Sequence, residues 1–245
     1  MKLAQNISPS LVNNIKTCSL RWCYSQLRVP KIPVYVKEAD FGISGHSAIK
    51  KYFESISNKP TEKEIRQTAE NAFGVVTSMK TKLRRSIDNF VNFEISRLRT
   101  WQIYKPKLVE AHLKNTPEEI YRKVNFMPPV GFKSIVDFYG SGILIDWKFG
   151  EVDHITDLFQ FQLGFMTMQL EWSGNPVNKA YLVSLVSGQI LEQPQTTESW
   201  VIYNIKNILG QIESNDFRPN KCGLCNYCEY KLRCDLQCQY LCMNG

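Results

Sequence analysis

The run at 135–150, IVDFYGSGILIDWKFG, constrains this chain more than any other stretch. Two β-rich segments flank Ser141-Gly142, and a two-residue hairpin turn at that point pairs Gly140 with Ile143. Counting outward, Asp137 stands opposite Asp146. Side chains alternate faces along a strand, so Asp146 and Lys148 share one face, and two carboxylates and a lysine converge on one patch. Opposed carboxylates repel by roughly several tenths of a kcal/mol in water and by more when buried. The flanking Ile135, Val136, Ile143, Leu144 and Ile145 predict partial burial. A divalent cation turns that penalty into binding, and hard oxygen ligands suit Mg²⁺ or Mn²⁺. Such an ion polarises a phosphodiester and activates water, while Lys148 orients that water or stabilises charge developing on phosphate. The bare pattern D-x₈-D-x-K equally describes a solvated surface hairpin with an Asp–Lys pair.

The cysteines are the second constraint. There are eight, and their distribution is lopsided: Cys18 and Cys23 near the start, and Cys222, Cys225, Cys228, Cys234, Cys238 and Cys242 in the last 24 residues. No apolar stretch approaches the roughly 20 residues that a membrane span needs, and the N-terminus has no apolar signal core. These absences predict an intracellular protein. Clustered cysteines there indicate metal or cluster ligation more than disulfides. Cys222, Cys225, Cys228 and Cys234 are spaced C-x₂-C-x₂-C-x₅-C, which serves zinc or an iron–sulfur cluster alike. Cys234, Cys238 and Cys242, spaced by four, also fit one face of a helix.

Composition adds bounds. With 43% hydrophobic and 22% charged residues the chain is globular rather than disordered, and its net charge of +7 suits a polyanionic partner without demanding one. Ser8 and Pro9 open a short helix over 8–26 that carries Cys18, and 27–40 reads as extended. A capping box, Thr61 to Glu64, starts a helical pattern running to about Tyr104. Lys80, Lys82, Arg84 and Arg85 crowd one end of it, as a solvated face or a phosphate-tracking surface. Four β-rich runs follow: KLVEAHL, IYRKVNF, GFKSIVDFYG and ILIDWKFG. Then come a helix over 153–172, a buried strand over 178–187 and a helix over 196–214. This order predicts a mixed α/β core with a helical insertion.

Taken in order, these residues resemble the RecB-like PD-(D/E)XK nucleases that carry an iron–sulfur cluster, especially the CRISPR-associated exonuclease family (the fourth Cas protein) and its archaeal viral relatives. The resemblance runs along most of the chain and is weakest over 50–105. It implies a restriction-endonuclease-like mixed sheet flanked by helices, in a single nuclease domain over 1–245. Within it, 1–26 and 218–245 form a cluster-binding region joining the termini, 50–105 a helical insertion and 106–217 the nuclease core. In SPSLVNNIKTCSLRWCY, Cys18 takes the first cluster-ligand position, with Cys23 the nearby alternative. Cys225, Cys228 and Cys234 match the closing C-x₂-C-x₅-C, and the four thiolates together imply a [4Fe–4S] cluster. In FGISGHSAIK, His46 takes the metal-ligating position. Glu110 fits a supporting glutamate. Asp137, Asp146 and the backbone carbonyl of Trp147 complete the Mg²⁺ or Mn²⁺ site, and Lys148 positions the attacking water. Gln162, with Gln160 as alternative, matches the glutamine of the next helix, but Met166 stands where the family has a tyrosine.

The resemblance further implies hydrolysis of single-stranded DNA from an end, 5′ to 3′, in CRISPR adaptation beside an integrase or in viral DNA processing. The setting is then the cytoplasm, or the host's cytoplasm for a viral protein. Trp101, Tyr104 and Trp147 are candidates for base stacking or for the core. The competing readings are a DNA-binding adaptor that keeps the cluster without cleaving, and a zinc-stabilised protein with no nuclease role.

Overall fold

Ser141 and Gly142 have φ of 49° and 79°, the paired left-handed conformations of a type I′ turn. They join two antiparallel strands in which Gly140 faces Ile143, Tyr139 faces Leu144 and Phe138 faces Ile145. This is the register that the turn sequence predicts. Gly142 suits its positive φ, and a Cβ there would also displace the Asn178 side-chain amide, 2.5 Å away.

The computed structural model describes residues 6–34, 37–103, 105–221 and 223–234. Cys222, Cys238, Cys242 and Tyr104 lie outside the described residues. The elements in chain order are β1 (Asn6–Ile7), α1 (Pro9–Thr17), α2 (Ser19–Gln26), α3 (Lys37–Ser55), α4 (Glu62–Phe73), α5 (Lys80–Trp101), β2 (Leu108–Asn115), α6 (Pro117–Val124), β3 (Gly131–Gly140), β4 (Ile143–Lys148), α7 (Asp157–Trp172), β5 (Lys179–Ser184), β6 (Ile190–Glu192) and α8 (Glu198–Glu213), followed by a 3₁₀ turn at Gly223–Tyr227. They group into two compact units.

One unit holds Lys37–Asn115 and Lys133–Glu198. Its strands β3, β4, β5 and β6 lie side by side in that order, and β2 also pairs with β3. The β4–β5 pair is parallel, from Ile143 beside Lys179 to Lys148 beside Ser184, while β5–β6 is antiparallel. The sheet is therefore mixed, with α7 as the crossover between its parallel strands. Alternation along β4 sorts its residues cleanly. Ile143, Ile145 and Trp147 pack with α3, α4 and α5, where Trp147 meets Phe93 edge-on at 4.9 Å. Leu144 packs on the opposite face with Leu163, Met166 and Leu170 of α7. Asp146 and Lys148 follow Leu144 onto that second face.

The other unit holds Met1–Val36, Thr116–Phe132 and Ser199–Gly245. Here β1 runs parallel to Gly131 and Phe132. Residues from opposite ends of the chain are stitched together. Ser19 Oγ accepts from the Arg218 amide at 2.9 Å, Asn220 donates to the Thr17 carbonyl at 3.0 Å, and Arg21 pairs with Glu229 at 3.0 Å. Among the described residues, no helix is long and apolar enough to cross a membrane.

Several expected elements differ. The single helix over 8–26 is two, broken at Cys18, whose extended backbone (φ −163°) serves both as C-cap of α1 and N-cap of α2. Helix begins again at Lys37, inside the segment expected to be extended, and the long helical pattern divides into α4 and α5. The IYRKVNF run is helical because Thr116 and Glu119 close a reciprocal capping box with Pro117 in the first turn. Local capping there outweighs β propensity. The short edge strand β6 was not expected.

Candidate active site

The open end of the β3–β4 hairpin carries the charged residues. One step beyond the Phe138–Ile145 pair, Asp137 and Asp146 are both buried, 6% and 2% exposed, where a carboxylate needs a partner. Asp137 Oδ2 accepts from the Trp147 amide at 2.8 Å. Lys148 Nζ stands 2.7 Å from Asp146 Oδ2, close enough to pair but out of hydrogen-bond alignment.

Two helices and a strand close the site. Thr156 caps α7 by accepting from the Phe159 amide, and the helix delivers Gln162 to the hairpin. Gln162 Nε2 donates to Asp146 Oδ1 at 2.8 Å, and its Oε1 accepts from Lys148 Nζ at 3.2 Å. The alternative, Gln160, stands two residues earlier on α7, where its carbonyl accepts from Gln193 Nε2. From α3, His46 Nδ1 approaches Glu110 Oε1 at 2.9 Å and Asp137 Oδ2 at 3.5 Å. Glu110 reaches this point because its backbone is left-handed, φ 46°, within β2. Such a local reversal re-aims a strand side chain.

The electrostatics follow from crowding. Burial alone would lower the His46 pKa, but the Glu110 hydrogen bond and the charges of Asp137, Glu110 and Asp146 outweigh it and raise it to about 9. Burial, then the Asp146 and Glu110 charges, push Asp137 up to about 8 against the pull of His46 and Lys148. Three carboxylates and one imidazole around a buried point form a site short of positive charge.

Among the described residues, His46, Glu110 and Asp137 are the group whose donor atoms all lie within 4.8 Å of one another. The expected set gave Glu110 only a supporting place. In the structure it stands with His46 and Asp137, while Asp146 turns toward Lys148 and Gln162. Cys18, Cys23, Cys225, Cys228 and Cys234 form no comparably tight group. Of the aromatic candidates, Trp147 is 0% exposed and belongs to the core, while Trp101 is partly buried and stacks on Tyr181 at 5.3 Å. Met166, in the place of the expected tyrosine, is buried against β4 and β5. Sequence reasoning missed Phe159, whose ring lies 5.2 Å from Lys148 Nζ. Its spacing of three from Gln162 on one helix was the available signal.

Carboxylates and a lysine at the end of a hairpin in a mixed sheet are the equipment of a nuclease. The chain belongs to the PD-(D/E)XK nuclease superfamily, whose family model matches residues 6–235. No curated protein matches it. Among solved structures, it is similar to a Eubacterium rectale protein provisionally assigned as an exonuclease, at 11% identity and a TM-score of 0.49, covering 94% of this chain and 93% of that one. It is also similar to the protein SSO0001, at 13% identity and a TM-score of 0.37, covering 76% of this chain and 92% of that one.

Proposed function

We propose that this chain is a Mg²⁺- or Mn²⁺-dependent deoxyribonuclease that digests single-stranded DNA from an end, 5′ to 3′. The observation that carries the reading is the convergence of Asp137, Asp146 and Lys148 with His46 and Glu110. The donor set fits a hard divalent cation: one imidazole nitrogen and several carboxylate oxygens, with Asp146 Oδ2 buried and lacking an aligned hydrogen bond. His46, Glu110 and Asp137 would hold the ion, with Asp146 and the Trp147 carbonyl beside them. When bound, it polarises the phosphodiester and lowers the pKa of water.

The chain's own residues do the remainder. Lys148 presents its ammonium toward the water and the phosphate, where negative charge develops. Gln162 and the Phe159 ring fix that ammonium beside Asp146. Asp137 fixes the backbone at Trp147 by accepting its N–H. Lys80, Lys82, Arg84 and Arg85, at the start of α5, offer phosphate contacts for a single strand. The setting that suits such an enzyme is the trimming of DNA ends beside a CRISPR integrase, or DNA processing for a virus.

The proposal includes a [4Fe–4S] cluster on Cys18, Cys225, Cys228 and Cys234. It is supported by the bonds joining residues 17–21 to 218–229 within one unit. Cys234, Cys23 and Cys18 are also each close enough to Tyr24 to raise the pKa of its hydroxyl, after burial has done so. Anaerobic purification with iron and sulfide analysis, then a Mg²⁺/Mn²⁺-dependent assay on end-labelled single-stranded DNA, tests both parts. Iron with metal-dependent cleavage lost in Lys148→Ala is expected. Zinc without cleavage overturns the reading.

A further inference from the structure

We propose that Gly45 and Phe149 are a positioning pair that sets how closely α3 carries His46 to Glu110 and Asp137. The inference rests on the cation-site reading above. A Cβ on Gly45 would lie 2.2 Å from both Cε1 and Cζ of Phe149 and 2.6 Å from Cδ1, well inside contact distance. The ring is packed on its other sides. Phe149 is 7% exposed, meets Phe41 edge-on at 5.5 Å and lies 6.3 Å from Phe73. Its backbone is held as well, since the Leu185 amide donates to the carbonyl of the preceding residue, Lys148, at 2.8 Å.

The same ring touches the metal-site histidine. Phe149 and His46 meet edge to face, with ring centroids 5.5 Å apart. One aromatic side chain therefore abuts both the bare Cα of Gly45 and the imidazole of the next residue. Gly42, one turn earlier on α3, has nothing within 4 Å of its notional Cβ. Glycine is unfavourable inside a helix, and at 45 the steric demand of Phe149 accounts for it. With any side chain at 45, α3 must rise from the end of β4, and His46 rises with it.

The test compares the full-length protein with Gly45→Ala, Phe149→Ala and the double variant. Mn²⁺ binding is followed by calorimetry, and the His46 ring N–H held by Glu110 by nitrogen-15 NMR of the metal-free protein. Gly45→Ala is expected to weaken Mn²⁺ binding by about 10- to 100-fold, the range for disturbing a ligand's support, and to lose the His46 signal. Adding Phe149→Ala restores both to the level of Phe149→Ala alone. Wild-type behaviour in Gly45→Ala overturns the proposal, as does a folded double variant that recovers neither property. If Gly45→Ala does not fold, recovery in the double variant decides alone. If the wild-type protein binds no Mn²⁺, the cation reading fails, and the His46 signal still judges the positioning role.

Discussion

Gln162 donates from Nε2 to Asp146 Oδ1 at 2.8 Å, and this bond fixes the orientation of the whole amide. A carboxylate only accepts and an ammonium only donates, so Oε1 is left for Lys148 Nζ, 3.2 Å away. Gln162 thus spans the two charged residues of β4. Replacing it with alanine removes one of the groups that hold Lys148 beside Asp146. Turnover of Gln162→Ala is expected to fall by about 10- to 100-fold with melting little changed, since positioning is worth that much in active sites. Unchanged turnover would mean that the amide bridge is decorative.

Lys148→Ala and Asp146→Asn are both expected to lower cleavage by at least about a hundredfold. They differ in stability. Asp146 is one of the charges that push the Asp137 pKa upward, so Asp146→Asn relieves a repulsion in the metal-free protein. Its metal-free melting temperature is expected to equal or exceed that of the wild type. Thermal melts in chelator read this directly, and marked destabilisation would contradict the repulsion.

The two raised pKa values make stability and metal affinity move in opposite directions with pH. His46 sits at about 9 against 6.5 unfolded, and Asp137 at about 8 against 3.8. Both groups hold more protons folded than unfolded, so their contribution to stability is full below the unfolded values and is lost as pH rises through 8 to 9. A cation competes with those same protons. The metal-free protein should therefore melt lower as pH climbs from 6.5 to 9, while the stabilisation given by added Mn²⁺ grows. A Mn²⁺ increment that shrinks over this range would contradict the assignment of His46 and Asp137 as ligands.

The hairpin was legible because its information is local. Ser141-Gly142 dictates the turn, the turn dictates the register, and the register brings Asp137 to Asp146. Helix α3 was harder. Its apolar positions Phe41, Ala48, Ile49, Tyr52 and Phe53 repeat with helical spacing, but no element was expected over 41–55. Gly45 is set by Phe149, a contact that spans about a hundred residues of sequence and leaves no local trace. The place of Glu110 was hidden for a different reason. Its strand was expected, but its side chain reaches His46 through a left-handed backbone that no propensity announces.

For the proposed cluster, burial favours Cys18 over Cys23. Cys23 is 9% exposed, and burial raises its thiol pKa, which disfavours the thiolate that metals select. Cys18 is half-buried, at the break between α1 and α2. Cys18→Ser is expected to lose the iron and its absorbance, and Cys23→Ser to retain both. The reverse pattern in iron analysis would exchange their roles.

Glu110 gives the sharpest separation of backbone from side chain. A non-glycine residue in the left-handed region is strained by roughly 1–2 kcal/mol, and such strain gathers at functional sites. Glu110→Ala and Glu110→Gly both remove the carboxylate that holds His46 Nδ1, so both are expected to weaken Mn²⁺ binding alike. Only glycine relieves φ 46°. Glu110→Gly should therefore be more stable than Glu110→Ala by about 1 kcal/mol, after the greater entropy that glycine gives the unfolded chain is set against the relief. Denaturant melts of the two metal-free variants measure the difference. Equal stability, or alanine ahead, would show that β2 carries no strain at this residue and that Glu110 reaches His46 without cost to the fold.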